Sequence, residues 1–243
     1  MLSVHVTPAE LREPLMETGA AQRLVSGDSL DQAMFGAALL ASTIADARRL
    51  GAIQLELESD DAGTVHDDMA EAHGLQLRRE LLRMQCDLPI DEPWNLDVRP
   101  FRVGHDEEAW LAVNNRAFDW HPEQSGRTLA TLQALEAEPW FDPEGFLLHE
   151  RDGRLAGFCW TKVHADERPP LGEIFVIGVD PDFHGLGLGR PLVLAGLDHL
   201  AGRGLRDGLL YTEADNAPAL RIYRSLGFHV VARHCWWTIA LTP

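Results

Sequence analysis

Apolar and polar positions along this chain change period repeatedly, and the changes predict a mixed α/β architecture. The clearest stretch runs from Gly172 to Arg190 as G-E-I-F-V-I-G-V-D-P-D-F-H-G-L-G-L-G-R. Ile174, Phe175, Val176, Ile177 and Val179 make a short apolar run suited to a buried strand. Asp180-Pro181-Asp182 predicts a turn. Gly185, Gly187 and Gly189 alternate with other residues, and beyond them Leu192, Val193, Leu197 and Leu200 recur at helical spacing.

Elsewhere the pattern predicts a helix from about Ser29 to Leu50, with Leu30, Met34, Ala37, Ala41 and Ile44 on one face and Gly51 as its stop. Ile53 to Glu58 alternates as a half-buried strand, Val65 to His73 reads as a helix, and Leu75 to Leu88 as a strand. Residues 1–30 carry few strand signals and read as helix and loop. Leu88 to Asp97, with two prolines and three acids, reads as a linker. A strand (Val98 to Val103), helices over about Asp106 to Phe118 and Thr128 to Ala137, and a hairpin (Phe146 to Glu150, Arg154 to Val163) turning at Arg151-Asp152-Gly153 follow. After the glycine-rich stretch come a strand (Leu209 to Glu213), a helix (Ala217 to Leu226) and a strand (Phe228 to Leu241). Leu57-Glu58-Ser59-Asp60-Asp61 parallels Thr212-Glu213-Ala214-Asp215-Asn216, and His73-Gly74-Leu75 parallels Leu226-Gly227-Phe228. This faint internal repeat predicts that residues 1–90 are a half-copy of the C-terminal region.

Strand, glycine loop and helix together make an anion cradle: glycines allow close backbone approach, and the first-turn N–H groups donate to phosphate oxygens. Pro191 fits a first turn that does not use its missing N–H. The loop resembles the pyrophosphate loop of the GNAT acetyltransferases, Gln/Arg-x-x-Gly-x-Gly/Ala, here His184 to Gly189 with His in the first position. The order of elements over residues 98–241 resembles the same family. The resemblance implies an α/β (α+β) GNAT acyltransferase fold, a mixed and mostly antiparallel sheet flanked by helices, in a catalytic domain over 98–243. A linker at 91–97 and a truncated GNAT-like region over 1–90 would precede it.

Composition narrows the function. With 45% apolar and 24% charged residues, the 243-residue chain is ordinary for a soluble globular protein. No apolar run reaches the roughly 18 residues of a membrane span, and the N-terminus lacks a basic-then-apolar signal, so a cytoplasmic location is expected. A formal charge of −17 argues against nucleic acid or an anionic membrane as partner. A polyanionic coenzyme then needs local cations, for which Arg190, Arg221 and Arg224 are the candidates. Cys86, Cys159 and Cys235 sit in apolar or aromatic settings without a C-x-x-C pair and are expected to be buried thiols. The eleven histidines show no ligand spacing, so no metal is expected. A monomer is the expected state.

Transfer of acetyl from a thioester to an amine needs a neutral amine, a donor for the thioester oxygen and a proton for the leaving thiolate. Glu173 opens an apolar strand and is the candidate base; period two places it on the face of Phe175, Ile177 and Val179. The backbone N–H of Val179 or Ile177 would polarise the carbonyl, and Tyr223 is the candidate acid. Asn216 is placed to cap the helix that carries it.

The strings H-P-E-Q, W-F-D-P-E-G, G-F-C-W-T-K-V-H, L-G-E-I-F-V-I-G-V-D-P and L-Y-T-E-A-D-N-A-P-A-L-R-I-Y-R-S-L-G-F resemble the mycothiol synthases within that family. This resemblance implies acetylation of the cysteine amine of cysteinyl-glucosaminyl-inositol by acetyl-CoA. It implies that Glu123, Lys162, Glu173 and Tyr211 contact substrate. It further implies that acetyl-CoA is held by Ile177, Gly178 and Val179, by His184, Gly185, Leu186, Gly187, Leu188, Gly189 and Arg190, and by Asn216, Ala217, Pro218, Ala219, Leu220 and Arg221. A GNAT enzyme for another small amine or a protein N-terminus, and a non-catalytic acetyl-CoA-binding module, stay open as alternatives. One acetyl-CoA site is expected, within residues 98–241.

Overall fold

The alternating and helical stretches resolve into nine strands and six helices in a computed structural model that describes residues 2–8, 30–120 and 124–241. In chain order they are β1 (Leu2–Pro8), α1 (Leu30–Arg49), β2 (Ala52–Ser59), α2 (Thr64–Ala72), β3 (Gln76–Asp87), β4 (Arg99–Pro100), α3 (Glu107–Ala117) and α4 (Leu129–Glu136). Then come β5 (Phe146–Arg151), β6 (Arg154–His164), β7 (Leu171–Val179), α5 (Gly189–Gly202), β8 (Asp207–Glu213), α6 (Ala217–Ser225) and β9 (His229–Ala240). Their pairing is mixed and mostly antiparallel. The chain forms two compact units. One unit contains the chain up to Arg83 together with Thr212–Asn216 and the segment from Val230; the other contains Met84–Tyr211 and Ala217–His229.

In the first unit the strand order is β1-β2-β9-β3. β1 runs antiparallel to β2 from Leu2↔Ser59 to Pro8↔Ala52, and β2 antiparallel to β9 from Gln54↔Ala240 to Ser59↔Cys235. Leu40 and Ile44 of α1 pack with Leu55, Leu57, Met69, Leu75, Cys235 and Trp237 in one core. The strand β1 corrects the helix-and-loop expectation for residues 1–30 at its first segment. Leu2, Val4 and Val6 alternate with Ser3, His5 and Thr7, a strand pattern that the reading of residues 1–30 passed over, and the ladder partner, β2, lies some fifty residues away. The remainder of that expectation, residues 9–29, lies outside the described residues.

In the second unit the order is β8-β7-β6-β5-β4. The β5–β6 hairpin turns through Asp152 (φ 52°) and Gly153 (φ 73°), two left-handed residues as a tight hairpin requires. The strand expected over Val98 to Val103 is only Arg99–Pro100, at the edge of the order. Pro100 has no N–H to continue a ladder, and edges are where proline is tolerated. Behind it Arg99 pairs with the buried Asp106 (Nη1 to Oδ2, 2.7 Å) and holds that carboxyl below its usual range.

One face of β5–β7 carries an aromatic core. Phe146 stacks on both Phe101 and Trp160 at 4.3 Å, and Trp110 meets Phe146 edge-on at 5.5 Å. The other face receives α5. A Cβ on Gly196 would lie 2.5 Å from Cys159 Sγ and 2.7 Å from Ile174 Cδ1, so the helix backbone rests directly on the strands. All three cysteines are free and buried, and burial pushes the thiols of Cys86 and Cys159 up to about 12 and that of Cys235 to about 11.

Between β6 and β7 the register slips by one residue. Trp160 pairs with Val176 and Thr161 with Ile174, leaving Phe175 as the extra residue of a β-bulge. Residues paired across a ladder share a face, so Glu173, opposite Lys162, lies on the aromatic face with Val176. Ile177 and Val179, opposite Cys159 and Gly157, lie on the α5 face. The expectation that Glu173 shares a face with Ile177 and Val179 is thereby corrected, while Phe175 does pack on the aromatic side against Trp140 and Trp160.

The close seat of α5 is testable. Gly196→Val should destabilise the protein by about 2–3 kcal/mol through overpacking, read as a lower denaturation midpoint with unchanged m-value.

Candidate active site

The glycine loop is held from below by a buried acid. Asp180 is 2% exposed, accepts from its own Ala156-bound turn through Asp182 N (2.9 Å), and is ion-paired to Arg116 of α3. Asp182 pairs with Arg154 at 2.6 Å, which keeps its carboxyl low. These contacts fix the short 3₁₀ turn Pro181–Phe183 that aims the chain into the loop. His184, in the position where the GNAT loop pattern has Gln or Arg, turns its ring back and donates from Nε2 to Val179 O at 3.0 Å. Gly185 (φ 78°) and Gly187 (φ 75°) are left-handed, which bends the exposed loop so that its backbone leads into α5.

The N-terminus of α5 is open. Its cap residue Leu188 offers no side-chain hydrogen bond, and no acid lies in the first turn. The first-turn N–H groups and the positive end of the helix dipole therefore meet an incoming anion without a competing carboxylate. Arg190 is not the free cation expected from sequence. Its guanidinium grips Glu92 at 2.7 and 2.5 Å and donates to Ser225 Oγ at 2.5 Å, contacts that hold Glu92 below the usual carboxylate range. Arg221 and Arg224 of α6 are exposed and, among the described residues, make no ion pair. They are the available cations. Asn216, directly before α6, donates its backbone N–H to Glu213 O at 3.1 Å.

Tyr223, on the inner face of α6, is 6% exposed, with Phe228 edge-on at 5.8 Å. Burial pushes its phenol above the ordinary tyrosine value, and the neighbouring Cys159 adds to the shift. Glu173 is 6% exposed on the opposite face of the strands, with its Oε2 at 2.6 Å from His164 Nε2. Lys162, opposite Glu173 in register, places its ammonium over the rings of Trp140 (4.5 Å) and Phe175 (5.4 Å). Tyr211 lies one residue past Leu210, the partner of Ile174, and is 48% exposed. Alternation from Ile174 and Leu210, which face α5, puts Tyr211 on the side of Glu173 and Lys162. Of the predicted substrate residues, three thus share one face. Glu123 lies outside the described residues.

The two faces communicate at one place. β7 and β8 pair in parallel only from Gly172↔Gly208 to Ile174↔Leu210. At the bulge the pairing ends, so the β7 edge from Phe175 to Val179, which includes the predicted acetyl-CoA contacts Ile177, Gly178 and Val179, has no β8 partner among the described residues. On that stretch the Val179 carbonyl is taken by His184 Nε2, and Glu173 precedes the stretch on the aromatic face.

Sequence reasoning missed His164, Glu92 and Asp180. His164 was legible in principle, since it stands two positions after Lys162 in a period-two strand and so shares its face. Nothing local marks Glu92 as the partner of a residue 98 positions away. No metal was expected from histidine spacing. The described residues do bring Glu58, Asp60 and His234 of the first unit within 4.8 Å of one another, an ion-paired group assembled by strand pairing.

The acetyltransferase (GNAT) family profile matches residues 107–228, just over half of the chain. The chain belongs to the GNAT acetyltransferase family. GNAT enzymes use acetyl-CoA, and the exposed glycine loop and uncapped α5 suit its pyrophosphate. Among curated proteins, the chain is 54% identical over 166 residues to the mycothiol acetyltransferase of Thermomonospora curvata, covering 66% of this chain and 55% of the relative. It is 52% identical over 171 residues to that of Streptomyces bingchenggensis, covering 66% and 54%. The chain thus spans about half the length of the curated relatives it matches. Among solved structures, a GCN5-related N-acetyltransferase from Sphaerobacter thermophilus superposes with a TM-score of 0.63 at 24% identity over 86% of this chain and 68% of the other. A tandem GNAT protein from the clavulanic acid biosynthesis pathway gives 0.55 at 17% identity over 86% and 70%. Both show the same fold.

If the loop is the pyrophosphate cradle, Gly187→Val should weaken acetyl-CoA binding at least about tenfold. A β-branched residue is strained at this left-handed φ, and its side chain would stand where phosphate approaches. An added Cβ meets nothing within 4 Å, so the fold should survive. Calorimetric titration with acetyl-CoA reads the difference; unchanged affinity would place the coenzyme elsewhere.

Proposed function

We propose that this GNAT chain is an acetyl-CoA-dependent N-acetyltransferase of the mycothiol acetyltransferase kind, acting on the cysteine amine of cysteinyl-glucosaminyl-inositol. The observation that carries the reading is the identity of about half to curated mycothiol acetyltransferases over two thirds of this chain. The site's chemistry supports it. A polyol-bearing acceptor is gripped by charged and phenolic hydrogen-bonding groups, and Lys162, Glu173 and Tyr211 supply these on one face.

In this reading the coenzyme's pyrophosphate lies on the Gly185–Gly189 backbone and the α5 N-terminus, with Arg221 and Arg224 supplying positive charge. Its pantetheine arm runs along the open edge of β7, bringing the thioester between the faces. The acceptor amine approaches from the side of Lys162 and Tyr211. Glu173 takes a proton from it, directly or through water, and the nitrogen lone pair attacks the thioester carbon. The carbonyl oxygen gains charge against the β7 backbone N–H groups. The C–S bond then breaks as Tyr223 gives its proton to the departing sulfur; the nitrogen loses its remaining extra proton to water, from which the phenolate is reprotonated. Because burial raises its pKa, the phenol holds its proton throughout the neutral range and is always available as donor. Overall an ammonium and acetyl-CoA give the amide, the coenzyme thiol and one proton, which Glu173 passes to water.

The chain should bind one acetyl-CoA, with a calorimetric stoichiometry near one, and acetylate the desacetyl precursor in preference to a panel of simple amines and N-terminal peptides. Equal or better turnover of another amine would reassign the acceptor within the family. Glu173→Gln should keep acetyl-CoA affinity but lose about 10²–10³-fold in kcat at pH 7. Activity should partly recover toward pH 9, because an α-amine with a pKa of about 7.7–8.0 then loses its proton unaided. Full activity of that variant at pH 7 would remove Glu173 from the mechanism.

A further inference from the structure

Glu173 carries a problem that its assigned role does not solve. A carboxylate buried to 6% exposure is costly unless its oxygens are satisfied, and a base held by one torsionally free side chain would be poorly aimed. The obvious partner is Lys162, directly opposite in the β6–β7 ladder, but its ammonium is drawn over Trp140 and Phe175 at 4.5 and 5.4 Å. The group that does reach the carboxylate is His164, two residues further along β6 on the same face, at 2.6 Å from Nε2 to Oε2.

We propose that His164 is the positioning residue of the Glu173 base: Nε2–H donates to Oε2, locks the carboxylate rotamer, and leaves Oε1 to receive the proton of the acceptor amine. Three observations support this assignment. The bond is short and, among the described residues, is the contact that satisfies the Glu173 carboxylate. Against an ionised carboxylate, the tautomer with hydrogen on Nε2 makes the bond, so the ring's role is set by its partner. The chemistry also favours imidazole over a stronger cation. In this same unit Arg99 holds Asp106 well below its usual range, and a guanidinium in the place of His164 would act in that direction on a group that must accept a proton. An imidazole can donate its N–H without a permanent charge.

The β-strand frame explains the aim. His164 is the last residue of β6 and pairs with Leu171, the first of β7, so it stands at the mouth of the hairpin, with its side chain 28% exposed. From there it reaches diagonally to Glu173, a reach long side chains make across a ladder. The Phe175 bulge sits on the other side of Glu173 and sets which face it occupies. Glu173 is thus fixed by the bulge in its backbone and by His164 in its side chain.

This inference rests on the reading of Glu173 as the base, and one set of variants separates the two. His164→Ala, His164→Gln, Glu173→Gln and the His164→Ala/Glu173→Gln double variant are assayed by release of coenzyme thiol with the desacetyl precursor. Calorimetry with acetyl-CoA serves as the control for folding. His164→Ala should lower kcat about 10–100-fold, leave the KM for acetyl-CoA within about twofold, and add nothing in the Glu173→Gln background. His164→Gln, whose amide N–H can stand in for Nε2, should recover most of the lost kcat. Wild-type kcat in His164→Ala beside an impaired Glu173→Gln would overturn the proposal while leaving the base in place. So would a Gln variant no better than Ala, which would make the ring mere packing. Full activity of Glu173→Gln would instead sink the base assignment itself. Crystal structures of wild type and His164→Ala give a reading independent of turnover: the Glu173 carboxylate should change rotamer when the imidazole is removed, and an unmoved carboxylate counts against us.

Discussion

One extra residue in β7 shapes the whole candidate site. With Phe175 bulged, the ladder to β6 continues but its parity inverts, so Glu173 and Val179 leave the strand on opposite faces. A bulge also sharpens local twist, and the parallel pairing with β8 stops at the same point, after Ile174↔Leu210. An unbulged strand would keep Glu173 beside Ile177 and Val179 and present both faces as closed. Here the base candidate stands among Lys162, Tyr211 and the aromatic residues, while Phe175–Val179 have no β8 partner among the described residues. The packing on either side holds the distortion in place. Gly196 lets α5 sit against Ile174 and Cys159, and Phe175 fills space against Trp140 and Trp160.

Electrostatics explains how a chain of net charge −17 can present an anion site. The acids nearest the glycine loop are spoken for: Asp180 by Arg116, Asp182 by Arg154 and Arg116. The loop and the first turn of α5 supply neutral N–H donors, which need no net charge to bind phosphate. Arg221 and Arg224, on the exposed side of α6, add cations that no acid among the described residues neutralises. Arg190 has a different task, since its bidentate grip on Glu92 ties the 89–94 segment to the start of α5. That the Arg190 side chain is engaged by Glu92 could not be read from its position beside the glycine motif.

The sequence revealed what is local and periodic, and concealed what depends on distant pairing. The β7 run, the glycine loop, α5, α6 and the Asp152-Gly153 hairpin all follow from residue type and spacing within some twenty positions. Glu173, Tyr223, Lys162 and Tyr211 were identifiable as candidates, and the structure sets the last two on the face of Glu173. The bulge was invisible, because a bulged and a regular strand have the same composition; only the partner strand counts the residues. β1 was legible, since Leu2, Val4 and Val6 alternate with Ser3, His5 and Thr7, and was missed because it is short and precedes a stretch without strand signals. His164 fell between these cases. Its face was implied by the period of β6, but its reach to Glu173 needed the β6–β7 register.

The placement of β9 shows how far non-local pairing decides the architecture. Its apolar positions, Cys235, Trp237 and Ile239, fit a strand anywhere in a sheet, yet they are met by Ser59, Leu57 and Leu55 of β2, nearly two hundred residues earlier. Thr238 adds a side-chain bond to the Leu55 carbonyl at 3.3 Å, and Arg233 pairs with Asp67 and Glu80 at 2.8 and 2.5 Å. The core of the first unit, with Leu55 and Leu57 fully buried against Cys235 and Trp237, is therefore incomplete until the C-terminal strand is in place. Closing so long a loop costs entropy that only this burial and ladder can offset. The N-terminal segment thus shares its sheet and core with the strand from the other end of the chain.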